Sequence, residues 1–436
     1  MYSTSFLRQS SEITTTILPT IIHKSTYRLN FTYLKLLVFI GLLLPQCHYL
    51  KAQVVEKGKG AKVQYSNGIG IVAPDSLFSL NFRFRIQNRA AYTTVSDDSF
   101  SASTIEAMVR RLRMRFEGFI LHPKINYFIQ LSFTRADMDW NVNDNSTANS
   151  SPNVVRDAVL IYKPTQHWTM VFGQTKLPGN RQRVVSSGDL QFSDRSIANA
   201  TFNLDRDFGL HAYYQNNLSN FVYILKGVIS SGEGRNSVSS DAGLAYTGRL
   251  ELLPFGTFTN KGDYYEGDLA REQTPKLAIA GGYHRNEGAI RTAGTLGRDL
   301  YSSRNLEEFI ADMVFKYKGF AFTAEYITRH TGNPITENAL GQQRVVYIGR
   351  GTMGQMSYLF KNNYEIAGRF ASVTPSKSIY AVELYKEEIG IGVTKYLRQH
   401  RLKVQGNLFY LRDKDMLTSS YQNERWMAVF QVELGF

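Results

Sequence analysis

The sequence predicts an all-β protein, a transmembrane antiparallel β-barrel of about 16 strands with short periplasmic turns and long extracellular loops. Three observations carry that prediction. Apolar and polar residues alternate with period two from Phe78 to the C-terminus. Short and long links alternate between the segments that show this pattern. The final segment ends on an aromatic residue, Phe436.

Ahead of the alternation stands one strongly apolar run, Leu36 to Leu44, preceded by Lys24, Arg28 and Lys35 and followed by Pro45 and Lys51-Ala52-Gln53. A basic stretch, a short apolar core and a small residue near its end read as a secretory signal, and the run is too short to span a bilayer. The sequence therefore divides into a cleaved leader at 1–53, with a long basic start, an N-terminal periplasmic extension or plug at 54–76, and a barrel at 77–436. Removing the leader takes away five basic residues and one acidic one, so +9 of the formal +13 remains.

The first strand places Phe78, Leu80, Phe82, Phe84 and Ile86 on one face and Asn81, Arg83, Arg85 and Gln87 on the other, because successive side chains of a strand point to opposite sides. The second sets Leu112, Met114 and Phe116 against Arg111, Arg113, Arg115 and Glu117. The third sets Ile125, Tyr127, Ile129, Leu131 and Phe133 against Asn126, Gln130, Ser132 and Thr134. Similar segments are expected near 154–163, 167–175, 206–214, 219–230, 242–253, 276–285, 308–318, 319–330, 347–360, 362–374, 386–398, 400–413 and 424–436. Their number is even, as a closed single-chain bacterial barrel requires. Short links at 122–124, 318–319 and 399–400 contrast with polar stretches at 88–106, 138–153, 176–205, 255–275, 286–307 and 331–346. In the last strand Trp426, Ala428, Phe430, Val432, Leu434 and Phe436 share one face against Arg425, Gln431 and Glu433. A terminal aromatic of this kind is the expected handle for the barrel-assembly machinery.

Composition fits the same architecture. Hydrophobic residues make up 43% of the 436 positions, too few for a bundle of apolar helices of about 20 residues each. Sixteen hairpin-connected strands with no helix and no second layer have nothing to pack on except lipid, and lipid requires that the sheet close on itself. Tyr92, Tyr127, Tyr162, Tyr214, Tyr317, Tyr396 and Tyr410, near strand ends, are expected in the interfacial girdles. The single cysteine excludes a disulfide framework and a cysteine zinc site. The expected location is the outer membrane of a diderm bacterium, with outer-membrane lipid as the surrounding partner. The basic charge falls on inward strand faces, so no nucleic-acid partner is expected.

Arg83, Arg85, Arg111, Arg113 and Arg115 share the inward face of two adjacent strands, and Arg369, Arg401 and Lys403 have the inward parity of later ones. Guanidinium groups spaced along a wet lumen favour small anionic solutes, because they attract an anion without holding it in one deep well. The competing expectation is that these residues pair with Glu117, Asp157, Glu251, Glu365 and Glu433 and only fill the lumen.

The chain from about Gly68 to Phe436 resembles the phosphate-selective porin O and P family, in the form common among Bacteroidetes. The resemblance is carried, in order, by the strand from Phe78 to Arg89, the arginine-rich strand running into Gly118, and Phe172-Gly-Gln-Thr-Lys-Leu-Pro178. Ser193-Asp194-Arg195-Ser196, Arg206-Asp207 with Gly209, Gly248-Arg249-Leu250 and Gly319-Phe320 with Glu325 continue it. Tyr364-Glu365 through Arg369 and His400 with Lys403 close it. The resemblance implies a sixteen-stranded porin, often a homotrimer, through which ions and small solutes diffuse passively. Phosphate is the candidate solute of its selective members, in which strand and loop arginines line the constriction. Here the strand arginines match by motif and the loop basic cluster does not.

Other chemistry is absent from the sequence. The 8 histidines form no His-x-x-x-His or His-Glu pair, and no nucleophile elbow, P-loop or dinucleotide fingerprint occurs, so neither an enzyme nor a cofactor is expected. Asp137, Asp139, Asn141, Asn143 and Asp144 alternate as in a calcium loop but lack its glycine and distal glutamate. Two alternatives to a pore are weighed: an adhesin or binding barrel using the loops at 176–205 and 286–307, and a barrel-embedded lipid hydrolase with His211 or His284 on the lipid face.

Overall fold

A computed structural model describes residues 61–65, 68–74, 77–138, 152–237 and 243–436. The leader at 1–53 and the calcium-like stretch beyond Met138 lie outside them. Sixteen antiparallel strands form the wall: β1 Ser79–Thr94, β2 Ala102–Ile120, β3 His122–Ser132, β4 Val155–Tyr162, β5 Trp168–Lys176, β6 Arg206–Leu218, β7 Phe221–Ser230 and β8 Ala245–Leu253. They continue as β9 Lys276–Arg291, β10 Asp299–Tyr317, β11 Phe320–His330, β12 Gly349–Leu359, β13 Tyr364–Pro375, β14 Tyr385–Arg398, β15 Leu402–Lys414 and β16 Tyr421–Gly435. Each strand pairs with the next, and β16 returns to β1 from Met427↔Thr93 to Gly435↔Arg85. No edge is left open, which is the condition for placing a sheet in hydrocarbon. Two short strands, Lys62–Gln64 and Ile69–Val72, pair with each other, and the second lies along the start of β1 where β16 ends.

The distribution of side chains is the inverse of a water-soluble fold. Phe172, Phe309, Ile391 and Phe430 are about half exposed on the outside, whereas Arg181, Lys316, Arg329 and Lys403 are among the largest fully buried side chains. The largest apolar cluster sits inside the barrel. There a short helix, Ile197–Thr201, presses Ala198 and Phe202 against Ile310, Ile327, Met353 and Val373 of β10 to β13. Gly351 permits that contact, since a Cβ there would lie 2.8 Å from the Phe202 ring.

All the strand segments expected from alternation are present, and their upper ends differ from expectation. The stretches 88–106 and 286–307, expected as loops, are largely strand, because β1 continues to Thr94 and β9 to Arg291. Above the hydrocarbon both faces of a strand are wet, so the ladder persists after the alternation has stopped. Exposed ion pairs such as Arg285 with Glu287 and Glu307 mark this zone. Tyr396 also departs from expectation: it is buried in the lumen, its hydroxyl donating to Glu365 Oε2 at 2.5 Å, rather than standing in a girdle.

Short and long links do not segregate fully. At one end the links are tight, as at Lys318-Gly319, whose φ angles of 47° and 92° supply the two positive values of a two-residue hairpin. Yet 254–275, between β8 and β9, lies at that same end and folds inward through turns within Thr259–Tyr264, kinked by the positive φ angles of Asn260 and Lys261.

Candidate functional site

The lumen is shaped by the link between β5 and β6, residues 177–205, which crosses it from the loop end. Its first helix, Arg181–Val184, is pinned to the far wall by Arg181, which donates to Asp312 Oδ1 at 2.6 Å and lies 3.7 Å from Glu251. Its second helix is capped by Ser196 Oγ, which accepts from the Asn199 amide, and Ser196 itself donates to Gln182 Oε1. Between the helices the chain passes along β15, where Lys403 Nζ donates to the carbonyls of Gly188 at 2.9 Å and Leu190 at 2.6 Å.

On the other side this link faces β1 and β2. Arg85 donates to Ser186 and Ser187, Arg113 donates to Ser187 Oγ at 3.0 Å, and Gln87 donates to the Ser187 carbonyl. Asp194 meets Arg89 at 2.6 Å, Arg110 at 3.4 Å and Arg111 at 3.3 Å. Arg110 has the parity of the lipid face, and a β-bulge in β2 corrects it. Arg111 pairs with Gln87 and Val109 with Asn88, so Arg110 is the extra residue and turns inward beside Arg111.

The sequence-expected residues divide into two groups. Arg83, Arg85, Arg113, Arg115 and Arg401 line a cavity of about 130 Å3 beside Ser186, Gly188 and Asp189. Arg83 and Arg115 both bind Glu117, and Arg115 also stacks 4.5 Å above the Phe128 ring. Arg111, buried just above, bonds Gln87 Oε1 at 2.8 Å. Arg369 and Lys403 also point inward but are sealed. Arg369 donates to Glu388 at 2.6 Å and to the Asp194 carbonyl, with its guanidinium 4.3 Å from the Phe192 ring. Lys403 anchors the crossing link and lies 3.5 Å from Glu433. Of the expected carboxylate partners, Glu117 and Glu433 serve these arginines and lysine. Asp157 holds Arg206, Glu251 holds Arg249 and Lys226, and Glu365 holds Tyr396 and Gln191.

Sequence reasoning missed Arg89, Arg110, Asp137 and Asp194 on this wall and Arg181 on the other. Arg110 was hidden by the bulge. Asp137 and Asp194 come from loops, and the signal available was only the density of charge in those stretches. Burial alone would raise the carboxyl of Asp194, but Arg111, Arg89 and Arg110 together hold it well below the usual carboxylate range. Asp137 is likewise held low against burial by Arg113, Arg156 and Arg111. Among the described residues, nine basic ones (Arg83, Arg85, Arg89, Arg110, Arg111, Arg113, Arg115, Arg401, Lys403) thus meet five carboxylates (Glu117, Asp137, Asp189, Asp194, Glu433), an excess of four positive charges. Arg89 Nε and Arg110 Nη1 donate to no protein acceptor.

His211 and His284 are both buried on the lumen side, bonded to the Tyr213 hydroxyl at 2.8 Å and Thr247 Oγ1 at 2.9 Å. Neither stands on the lipid face that a lipid hydrolase would need.

Residues 80–262 match the family model described as phosphate-selective porin O and P. No curated protein matches the chain in sequence. Among solved structures, the chain is similar to a Salmonella typhi OmpF complex with daunomycin, with TM-score 0.51 and 14% identity over 83% of this chain and 98% of that one. It is also similar to the outer membrane channel DcaP of Acinetobacter baumannii, with TM-score 0.50 and 11% identity over 85% and 100%. A loop-deletion mutant of OmpT, an outer membrane protein of Vibrio cholerae, aligns with TM-score 0.50 and 11% identity over 83% and 100%. At these identities the likeness is one of fold.

Proposed function

We propose that this outer-membrane porin, whose residues 80–262 are those of the phosphate-selective porin O and P family, passes small anionic solutes by passive diffusion along the arginine wall of β1 and β2. The observation that carries the reading is the excess of basic over acidic groups there, where three guanidinium groups share the single carboxylate of Asp194. An anion entering from the loop end meets Arg89, Arg110 and Arg111 around Asp194. It then passes Arg85 and Arg113 beside the serines of the crossing link, and leaves past Arg83, Arg115 and Arg401. Successive donors that are each shared with a protein acceptor give several shallow wells rather than one deep one, which is what conduction requires. Bidentate guanidinium geometry suits oxyanions, so phosphate is a natural solute of this path.

The barrel acts as a channel rather than an enzyme, and its assembly is a homotrimer, which cross-linking of the detergent-solubilised protein checks. The decisive experiment is the reversal potential of single channels in a planar bilayer under a KCl gradient, repeated with phosphate. Anion preference that falls when Arg111, Arg113 and Arg115 become Gln supports the path, and a cation preference in the unaltered protein overturns it.

A further inference from the structure

We infer that residues 254–275 are a second constriction, entering from the turn end, which sets selectivity by closing the acidic half of the lumen; the inference rests on the porin reading. Every other link at that end among the described residues is short, whereas this one folds inward and is bonded to the wall at several points. Lys316 Nζ donates to the carbonyls of Gly262 at 2.6 Å, Tyr265 at 2.7 Å and Gly267, with the Tyr265 ring 4.1 Å away. Asp268 accepts from the amides of Glu272 and Gly319, tying the segment's own turn to the hairpin between β10 and β11.

Glu266 joins this segment to the link that crosses from the opposite end. Its amide donates to the Asp189 carbonyl at 2.9 Å. Its Oε2 accepts from the Gln191 amide at 2.8 Å and Gln355 Nε2 at 3.0 Å, and its Oε1 accepts from Gln182 Nε2 at 3.2 Å. Its own carbonyl accepts from His400 Nε2 at 3.0 Å. One residue therefore connects both inward segments to β12 and to the turn between β14 and β15.

What the two segments cover has the opposite charge balance to the arginine wall. The covered wall itself carries four carboxylates, Glu251, Asp312, Glu325 and Glu365, against three basic residues, Lys226, Arg249 and Lys316, and all four carboxylates are at most 5% exposed. Open to water, a surface with that excess of carboxylate would draw cations through the same barrel. Covered, it leaves the arginine cleft as the path. The anion preference of the pore is then a product of two parts, the arginines that line one side and the segment that removes the other.

Two variants test this in planar bilayers. In one, 257–273 is replaced by a short Gly-Ser link; in the other, Glu266→Ala removes the side-chain acceptor and leaves the wall untouched. Both are expected to raise single-channel conductance, the deletion by about twofold or more, and to move the reversal potential in a KCl gradient toward the cation side. Heat-dependent migration in gels shows that the barrel has formed, and if the deletion fails to form, Glu266→Ala decides alone. Wild-type conductance and wild-type reversal potential in a folded variant overturn the inference while leaving the porin reading in place. A wild-type protein that inserts and conducts nothing overturns the porin reading itself.

Discussion

Three guanidinium groups, of Arg89, Arg110 and Arg111, converge on the Asp194 carboxylate, which thereby cancels one of their charges. Removing either side of this contact should move selectivity in opposite directions. Asp194→Asn leaves three arginines with one neutral acceptor and should strengthen anion preference, whereas Arg111→Gln should weaken it. A unit charge about 4 Å from a hydrated ion is worth about 1 kcal/mol in water, so each change should alter the permeability ratio several-fold. Reversal potentials of the two variants check the signs, and shifts in the same direction would refute the assignment. The pH response follows from the same arginines. Burial would raise the carboxyls of Asp137, Asp194 and Asp205, but the neighbouring guanidinium groups prevail and hold all three low. A depressed carboxylate contributes its full stabilisation above its unfolded value of about 3.9 and loses it only as pH falls through the lower folded value. The docking that these three carboxylates supply, followed by proteolysis of the loops that carry them, should therefore stay level from pH 8 to about 4.5 and give way below about pH 3.

At the scale of the strand, the bulge at Arg110 makes a prediction that contradicts the usual effect of a deletion. Deleting a residue from a strand ordinarily turns every side chain beyond it to the other face. Here Arg110 is the residue without a partner, so its deletion brings Arg111 and Val109 into ordinary succession and keeps both halves of β2 in register. The Arg110 deletion should fold into a heat-modifiable barrel with a slightly reduced anion preference, whereas deletion of Leu112 should abolish assembly. The bulge also shows where the sequence stops being informative. Period-two alternation reveals all sixteen strands because the hydrocarbon demands it on every one, but it cannot reveal an inserted residue, and continued past the bulge it would put Arg110 on the lipid face. The strand tops at 88–94 and 286–291 were illegible for a related reason, since water on both faces imposes no pattern. Counting hairpins from β1 does place 254–275 at the turn end, although its length and polarity suggest a loop. The partners of the crossing link were beyond reach, because Arg181 and Asp312 are 131 residues apart in sequence and meet only once the barrel has closed.

Closure is the step on which the whole molecule depends, since β1 and β16 must find each other across the full length of the barrel sequence. The seam is held by a ladder from Met427 to Gly435 and is finished at the turn end by Phe436. The Phe436 amide donates to the Phe84 carbonyl, and its ring stands edge-on to Phe84 at 4.3 Å and to Phe82 at 6.1 Å. The Gly435 amide donates to the Arg401 carbonyl at 2.7 Å, which ties the end of the seam to the turn that carries one of the cavity arginines. An aromatic pair of this geometry contributes about 1 kcal/mol beyond the surface it covers. The contacts that cross the lumen, such as Arg181 with Asp312, presuppose the closed ring, so a loss at the seam should be felt as a loss of the entire barrel rather than as local fraying. Phe436→Ala should lower the temperature at which the folded form converts to the slower-migrating unfolded band in gels. Leu417→Ala, at a loop position 66% exposed and away from the seam, should leave that temperature unchanged. Equal conversion temperatures for Phe436→Ala and the unaltered protein would show that the ladder alone closes the barrel and that the terminal aromatic adds nothing to its stability.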